Sequence, residues 1–248
     1  MTVNVTSYTG LQAAIAQWMA RGTDTIVTSR FDDLLALHEQ RMYYGADEVP
    51  GLLPRFQPLR IREMETVDPA FSITGAAAPD SARITQEEEI RVIESATDDD
   101  AELTATVAQP AGFLELIEAS LNSPYAPLRI EHEGVIASYG EQTLSTAKII
   151  AISGRNFRFK EASGTATLRF FQKLTTPSAS ESNWIIENAP GVYLNGCLIE
   201  AALMTTDFDS AMRYAAIYAA QVNGLNSRRN RELAFATNVR VRVRGRTP

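Results

Sequence analysis

Apolar and polar positions alternate with two different periods along this chain, and the periods divide it. Three-to-four spacing, the period of an amphipathic helix, dominates both ends. Near the N-terminus, Leu11, Ile15, Trp18 and Met19 line one side of a helix predicted over Leu11–Arg21, with Thr9 as its cap and Gly22 as its stop. A second helix is predicted over Thr25–Tyr44, capped by Asp24 and ended by Gly45. Its stripe is Val27, Phe31, Leu34, Leu35, His38 and Met42.

The most regular helical pattern is at the other end, in the stretch Asn183–Glu232 that follows Ser182. Asn188 reads as an N-cap and Pro190 falls in the first turn, where a missing N–H costs nothing. Val192, Tyr193, Gly196, Cys197, Ala201 and Met204 form one stripe. Thr205–Asp207 reads as a short turn, with Thr206 or Asp207 capping a second helix. That helix carries Phe208, Ala211, Met212, Ala215, Ala219, Val222 and Leu225 on one side. A short connection makes the two helices antiparallel neighbours, roughly 22 and 27 Å long at ~1.5 Å per residue. Four such stripes would close one bundle.

Between the helical ends the pattern changes. Residues 46–58 hold Pro50, Gly51, Pro54 and Pro58 and read as a linker or irregular loop. Residues 59–67 read as a strand or a short helix. Residues 68–100 carry the acidic runs Glu87–Glu89 and Asp98–Asp100 and read as exposed loops, with a strand at 90–95 between the runs. Residues 103–107 alternate as a strand, broken by Gln109-Pro110-Ala111-Gly112. A short helix is predicted over Phe113–Leu121, a strand over 127–131 and a turn of helix over Thr143–Ala147. The segments 148–153, 156–160 and 166–174, separated by glycine-bearing turns, predict an antiparallel meander. The fold class is therefore α+β: an antiparallel helical bundle of N- and C-terminal helices with an inserted antiparallel β-meander region and an extended basic C-terminal tail. The expected domains are 1–50 plus 183–232 (bundle), 55–176 (β-rich insert) and 233–248 (interaction tail).

Charge sharpens this division. The chain of 248 residues has a net charge of −7. From Arg228 onward there are seven arginines and one glutamate, a net +6, which leaves −13 on residues 1–227. The end VRVRVRGRTP places Val239, Val241 and Val243 on one face of a strand and Arg240, Arg242 and Arg244 on the other, followed by Arg246. A lone strand of this kind is not stable in water. It is either a disordered basic end or an addition to another chain's sheet, with its arginines paired or facing a phosphate backbone. Arg228, Arg229, Arg231, Val239–Arg244 and Arg246 are accordingly the candidate partner-interaction residues.

Catalytic chemistry is not legible. Neither GxxxxGK[ST] nor GxGxxG occurs, and neither His38 nor His132 sits at a metal-ligand spacing. His38 falls on an apolar helix stripe and Cys197 inside another, so a packing or surface role is expected for His38 and a buried structural thiol for Cys197. The acidic runs read as solvated loop charge, and Tyr8, Trp18, Tyr43 and Tyr44 as core or interface aromatics. No cofactor or metal is expected. One cysteine excludes an intrachain disulfide. No secretory signal and no transmembrane run of ~18 apolar residues is expected.

The order of elements resembles the head-to-tail adaptor (connector) proteins of tailed bacteriophages and gene-transfer agents, of the SU10-like and P22-like type. The stretches that carry the resemblance are TSYTGLQAAIAQWMAR near the N-terminus, RFQPLRIREME (55–65) and LTATVAQPAGFLEL (103–116). They continue with ISGRNFRF (152–159), TATLRFFQKL (165–174), and SNWIIENAPGVYLNGCLIEAALM (182–204) with the arginine-rich end. Residues 68–100 and the linker at 46–54 depart from the compact pattern. The resemblance implies a non-enzymatic virion protein at the neck, made in the host cytoplasm. It implies a homo-oligomeric ring, commonly of twelve subunits, beneath the portal protein, which extends the DNA channel, docks tail or nozzle/stopper proteins and passes duplex DNA without sequence specificity. An acidic body suits such a conduit, because a duplex carrying one charge per ~1.7 Å must slide rather than stick. Two rival readings are a nucleic-acid-binding module acting through the arginine tail and a hydrolase with a hidden carboxylate site.

Overall fold

The computed structural model describes residues 5–19, 29–74, 105–132, 148–159 and 163–236. The chain divides into two compact units, Met1–Met64 with Lys173–Pro248, and Glu65–Gln172.

The first unit is helical. Its elements are α1 (Tyr8–Trp18), α2 (Phe31–Tyr44), α3 (Pro177–Ser180), α4 (Trp184–Asn188), α5 (Pro190–Met204) and α6 (Phe208–Ala236). Helices α1, α5 and α6 begin within three residues of where periodicity puts them, but the caps differ, and the start expected for the second helix, Thr25, lies outside the described residues. Ser7, not Thr9, caps α1 by accepting from the Gly10 N–H at 3.1 Å, and α1 ends at Trp18 rather than Arg21. Asp24 and Gly22 lie outside the described residues; α2 starts at Phe31 with Asp32 and Asp33 in its first turn, where carboxylates favour the helix dipole. Gly45 does end α2, with φ 75°, its N–H donating to Arg41 O. Asn188 is not an N-cap: it ends α4, whose own cap is Asn183, accepting from Ile186 N–H at 3.0 Å. Pro190 opens α5 without a side-chain cap. Asp207 caps α6 by accepting from Ser210 N–H at 3.2 Å.

Helix α5 is the centre of this unit. Helices α1, α2, α4 and α6 all pack on it. Ten of its fifteen residues are buried, so it has no single apolar stripe of the kind its sequence suggested. Neighbours on several sides, rather than one, explain why Asn195 and Glu200 are buried with the aliphatics. On α6 the buried positions among the described side chains are Ala211, Ala215, Tyr218 and Val222. Phe208 and Met212, expected to be buried, are about half exposed.

The second unit is built of strands β1 (Glu65–Thr74), β2 (Ala105–Ala108), β3 (Phe113–Asn122), β4 (Tyr125–Pro127), β5 (Arg129–His132), β6 (Ile149–Ser153), β7 (Asn156–Phe159) and β8 (Ser163–Gln172). They form two four-stranded sheets, ordered β1-β8-β3-β4 and β2-β7-β6-β5. Phe71, Leu116, Leu121, Ile150, Phe157, Phe159, Leu168 and Phe170, drawn from both sheets, form one core.

Three expectations are corrected here. Residues 113–121 form strand β3, not a helix. Two register shifts, between Phe113/Glu115 and Leu116/Glu118, each insert a residue. The buried positions Leu116 and Ala119 therefore fall three apart, which imitates a helical period in a strand. Residues 68–74 are strand rather than loop: the shift between Asp68 and Phe71 accommodates Pro69, whose missing N–H is tolerated at an irregularity. The meander is interrupted, because β6 and β7 form an antiparallel hairpin but β8 joins the other sheet, between β1 and β3. Strand β5 pairs with β6 in parallel. Residues 59–67 contain a 3-10 turn, Arg62–Met64, leading into β1. The strand expected at 90–95, the turn of helix at 143–147 and the acidic runs lie outside the described residues.

Candidate assembly surface

The polar residues buried in the helical unit bind elements together. Asn183 Nδ2 donates to Thr175 O at 2.9 Å and to the Tyr193 hydroxyl at 2.8 Å. The Tyr193 hydroxyl in turn donates to Glu39 Oε1 at 3.1 Å. Burial raises the Glu39 carboxyl, opposed by its bond to Tyr193 and the charge of Lys173. Arg41 Nη1 lies 2.6 Å from Glu200 Oε1. Burial raises the Glu200 carboxyl, while the charge of Arg41 and its hydrogen bond pull it back. The Arg41 guanidinium also stacks over Phe56 at 5.2 Å. His38 is fully buried, edge-on to Tyr193 and Tyr218 at 5.2 and 5.5 Å. Its pKa is lowered to about 3, by burial first and by Arg41 second. It is therefore neutral and packs, as its place on an apolar stripe suggested. Burial likewise raises the Cys197 thiol, which makes it inert as a nucleophile. Among the described residues no three His, Cys, Asp or Glu side chains are grouped to hold a metal ion.

The surface holds the features that suit binding. Beyond Gly45 the chain turns back through two bridges, Ala46 with Phe56 and Val49 with Leu53. It is then fastened to α6 by Asn226, which accepts from the Arg60 N–H at 2.9 Å and donates to Pro58 O at 3.0 Å. Between this turned-back segment and the C-terminal part of α6 lies an open groove of about 630 Å³. Arg55, Arg60 and Arg229 line it together with Asp47, Gln57 and Asn230.

The sequence-predicted interaction residues are only partly brought together. Arg229 faces the groove. Arg228 pairs with Glu232 at 2.9 Å, one helical turn on. Arg231 is exposed on α6. Residues 233–236, expected to begin an extended tail, continue α6; Val239, Arg240, Val241, Arg242, Val243, Arg244 and Arg246 lie outside the described residues. Sequence reasoning missed Arg55, Arg60 and Asn226. The segment 55–62 does carry arginines at 55, 60 and 62, but what ties them to Arg229 is a contact across 166 residues.

A second surface is the uncovered flank of α6. Phe208, Met212, Ala216 and Ala219 follow one another at spacings of four, four and three, so they share a face beside the buried one. Phe208 is 50% exposed and Met212 47%. No described helix is long and apolar enough to cross a membrane.

No curated protein matches the chain. A family model does, over residues 6–244, and its description is SU10 adaptor protein. That span is nearly the whole polypeptide, and with it the chain belongs to the SU10 adaptor protein family, a family of phage structural adaptors.

Proposed function

We propose that the protein is the repeating subunit of a head-to-tail adaptor ring beneath the portal of a tailed phage, twelve copies to a ring, in the neck of the virion. The reading is carried by one observation: a chain matched over residues 6–244 by the adaptor family leaves the apolar flank Phe208–Met212 of its longest described helix uncovered. Large exposed side chains beside Ala216 and Ala219 suit close packing of a neighbouring copy. A head-to-tail contact of this kind closes into a ring when its rotation allows. In the assembled particle the helical parts pack copy on copy, and the loops of the β-rich part offer the surface for tail or nozzle/stopper proteins. The arginine-rich end from residue 233 onward engages the portal or a neighbouring copy. The net −13 on residues 1–227 keeps passing duplex from adhering. The role is structural, without catalysis.

Portal docking tests it. Full-length protein should co-sediment with portal rings, and a chain truncated after residue 232 should do so more weakly. A full-length protein that stays in the supernatant refutes the reading. Unchanged docking after truncation removes the tail from the mechanism.

A further inference from the structure

We propose that the groove between the turned-back segment and α6 is a docking site for a short acidic peptide segment of a partner protein. Three arginines reach it from two elements distant in sequence: Arg55 and Arg60 from the segment and Arg229 from α6. Asp47 is the single carboxylate in its lining. Arg60 is held in place before any ligand arrives, since its Nη1 donates to Tyr43 O at 2.9 Å and to Leu59 O at 2.8 Å. Asn226 fastens the same segment to α6. Ordering of these parts is thus built into the fold, which lowers what binding must supply.

The volume, about 630 Å³, is that of a site for a small ligand or a short peptide segment, within the roughly 300–1,000 Å³ common for such sites. Gln57 and Asn230, both exposed, bring amides that suit a peptide backbone, and arginine forks suit carboxylates. A duplex is a poorer occupant. It is a long polyanion, and it meets the −13 carried by residues 1–227 as well as the groove. A short segment responds to charges within about one Debye length, ~8 Å at physiological salt, and the groove's lining sets three arginines against one carboxylate. This inference does not depend on the ring, since the groove lies within one chain.

The test uses full-length protein and a fluorescein-labelled hexaglutamate peptide, followed by anisotropy, with labelled hexaglutamine and a 20-base-pair duplex in parallel. Hexaglutamate should bind and hexaglutamine should not. Arg55→Gln combined with Arg229→Gln should weaken binding about tenfold, since it removes two of the three arginines that line the groove. Asp47→Asn should tighten it, a gain that a misfolded variant cannot give. No hexaglutamate binding, equal binding by hexaglutamine, or an affinity unchanged in the double variant would overturn the proposal. So would a duplex that binds more tightly than the peptide and is weakened by the same substitutions. Ring formation, read separately from particle mass, should be unaffected by the peptide.

Discussion

Gly196→Ala is the substitution for which the helical unit gives the sharpest expectation. A Cβ at Gly196 would sit 1.9 Å from His38 Nδ1 and 2.1 Å from its Cε1, where ordinary contact needs about 3.5–4.0 Å. The ring cannot swing aside, because Tyr193 and Tyr218 flank it edge-on. Helix propensity alone would make alanine better by ~1 kcal/mol. Overpacking of this kind costs about 1–3 kcal/mol and sometimes more. Displacing the ring from two edge-to-face contacts adds ~0.5–1.5 kcal/mol each. The net expectation is a loss of ~2–4 kcal/mol, measured by urea unfolding followed by far-UV circular dichroism. Gly224→Ala is the internal control: nothing lies within 4 Å of its Cβ position in the same hairpin, so it should stabilise by ~0.5–1 kcal/mol. His38→Ala should make room for the methyl group that Gly196→Ala introduces, and the double-mutant cycle should show at least ~1 kcal/mol of favourable coupling. A Gly196→Ala protein as stable as the parent would mean that α2 and α5 do not pack through this contact.

Protonation gives a second test. The native His38 pKa is about 3, below its unfolded value near ~6.5, so the unfolded state takes up the proton first. The stability that neutral His38 contributes is complete above pH ~6.5 and falls as pH drops toward 3, by about 2 kcal/mol at pH 5. Glu39 and Glu200, raised by burial, act in the opposite sense within the carboxylate range. The difference between parent and His38→Phe isolates the histidine; parallel pH profiles for the two would refute its buried neutral state. Asn226→Ala removes both bonds to the 58–60 segment and should cost about 1–3 kcal/mol; faster hydrogen exchange at the Arg60 amide is the local readout. Gly45→Ala forces a side chain into φ 75° with its Cβ 2.7 Å from Phe56 O. It should destabilise by more than Gly51→Ala, whose φ is 74° but whose Cβ meets nothing within 4 Å. Equal losses would show that backbone strain alone decides both.

The helices were legible because apolar residues recur at helical spacing, even though α5, packed on several sides, buries no single stripe, and Gly45, Pro190 and Met204 mark their ends. Asn188 misled because Asn183, five residues earlier, caps a separate short helix. Strands β1 and β3 were obscured by bulges: each inserted residue breaks the two-residue alternation, and Pro69 made β1 look like loop. The departure of β8 into the other sheet leaves no local trace, since a glycine turn reads alike whether or not the next strand pairs. Tyr218 was missed as a core residue because α6 was read on a stripe turned toward Ala219. The burial of Tyr218 is set by His38 and Phe56 from elsewhere in the chain. The groove was illegible for the same reason: its arginines come from segments far apart in sequence, which Asn226 helps to join.

Imaging of purified full-length protein mixed with portal particles, by single-particle electron microscopy, bears most directly on the assembly role. The account predicts a closed ring with an axial opening seated on the portal, its subunits in contact through the Phe208–Met212 flank. Protein that remains monomeric and leaves the portal bare would contradict it.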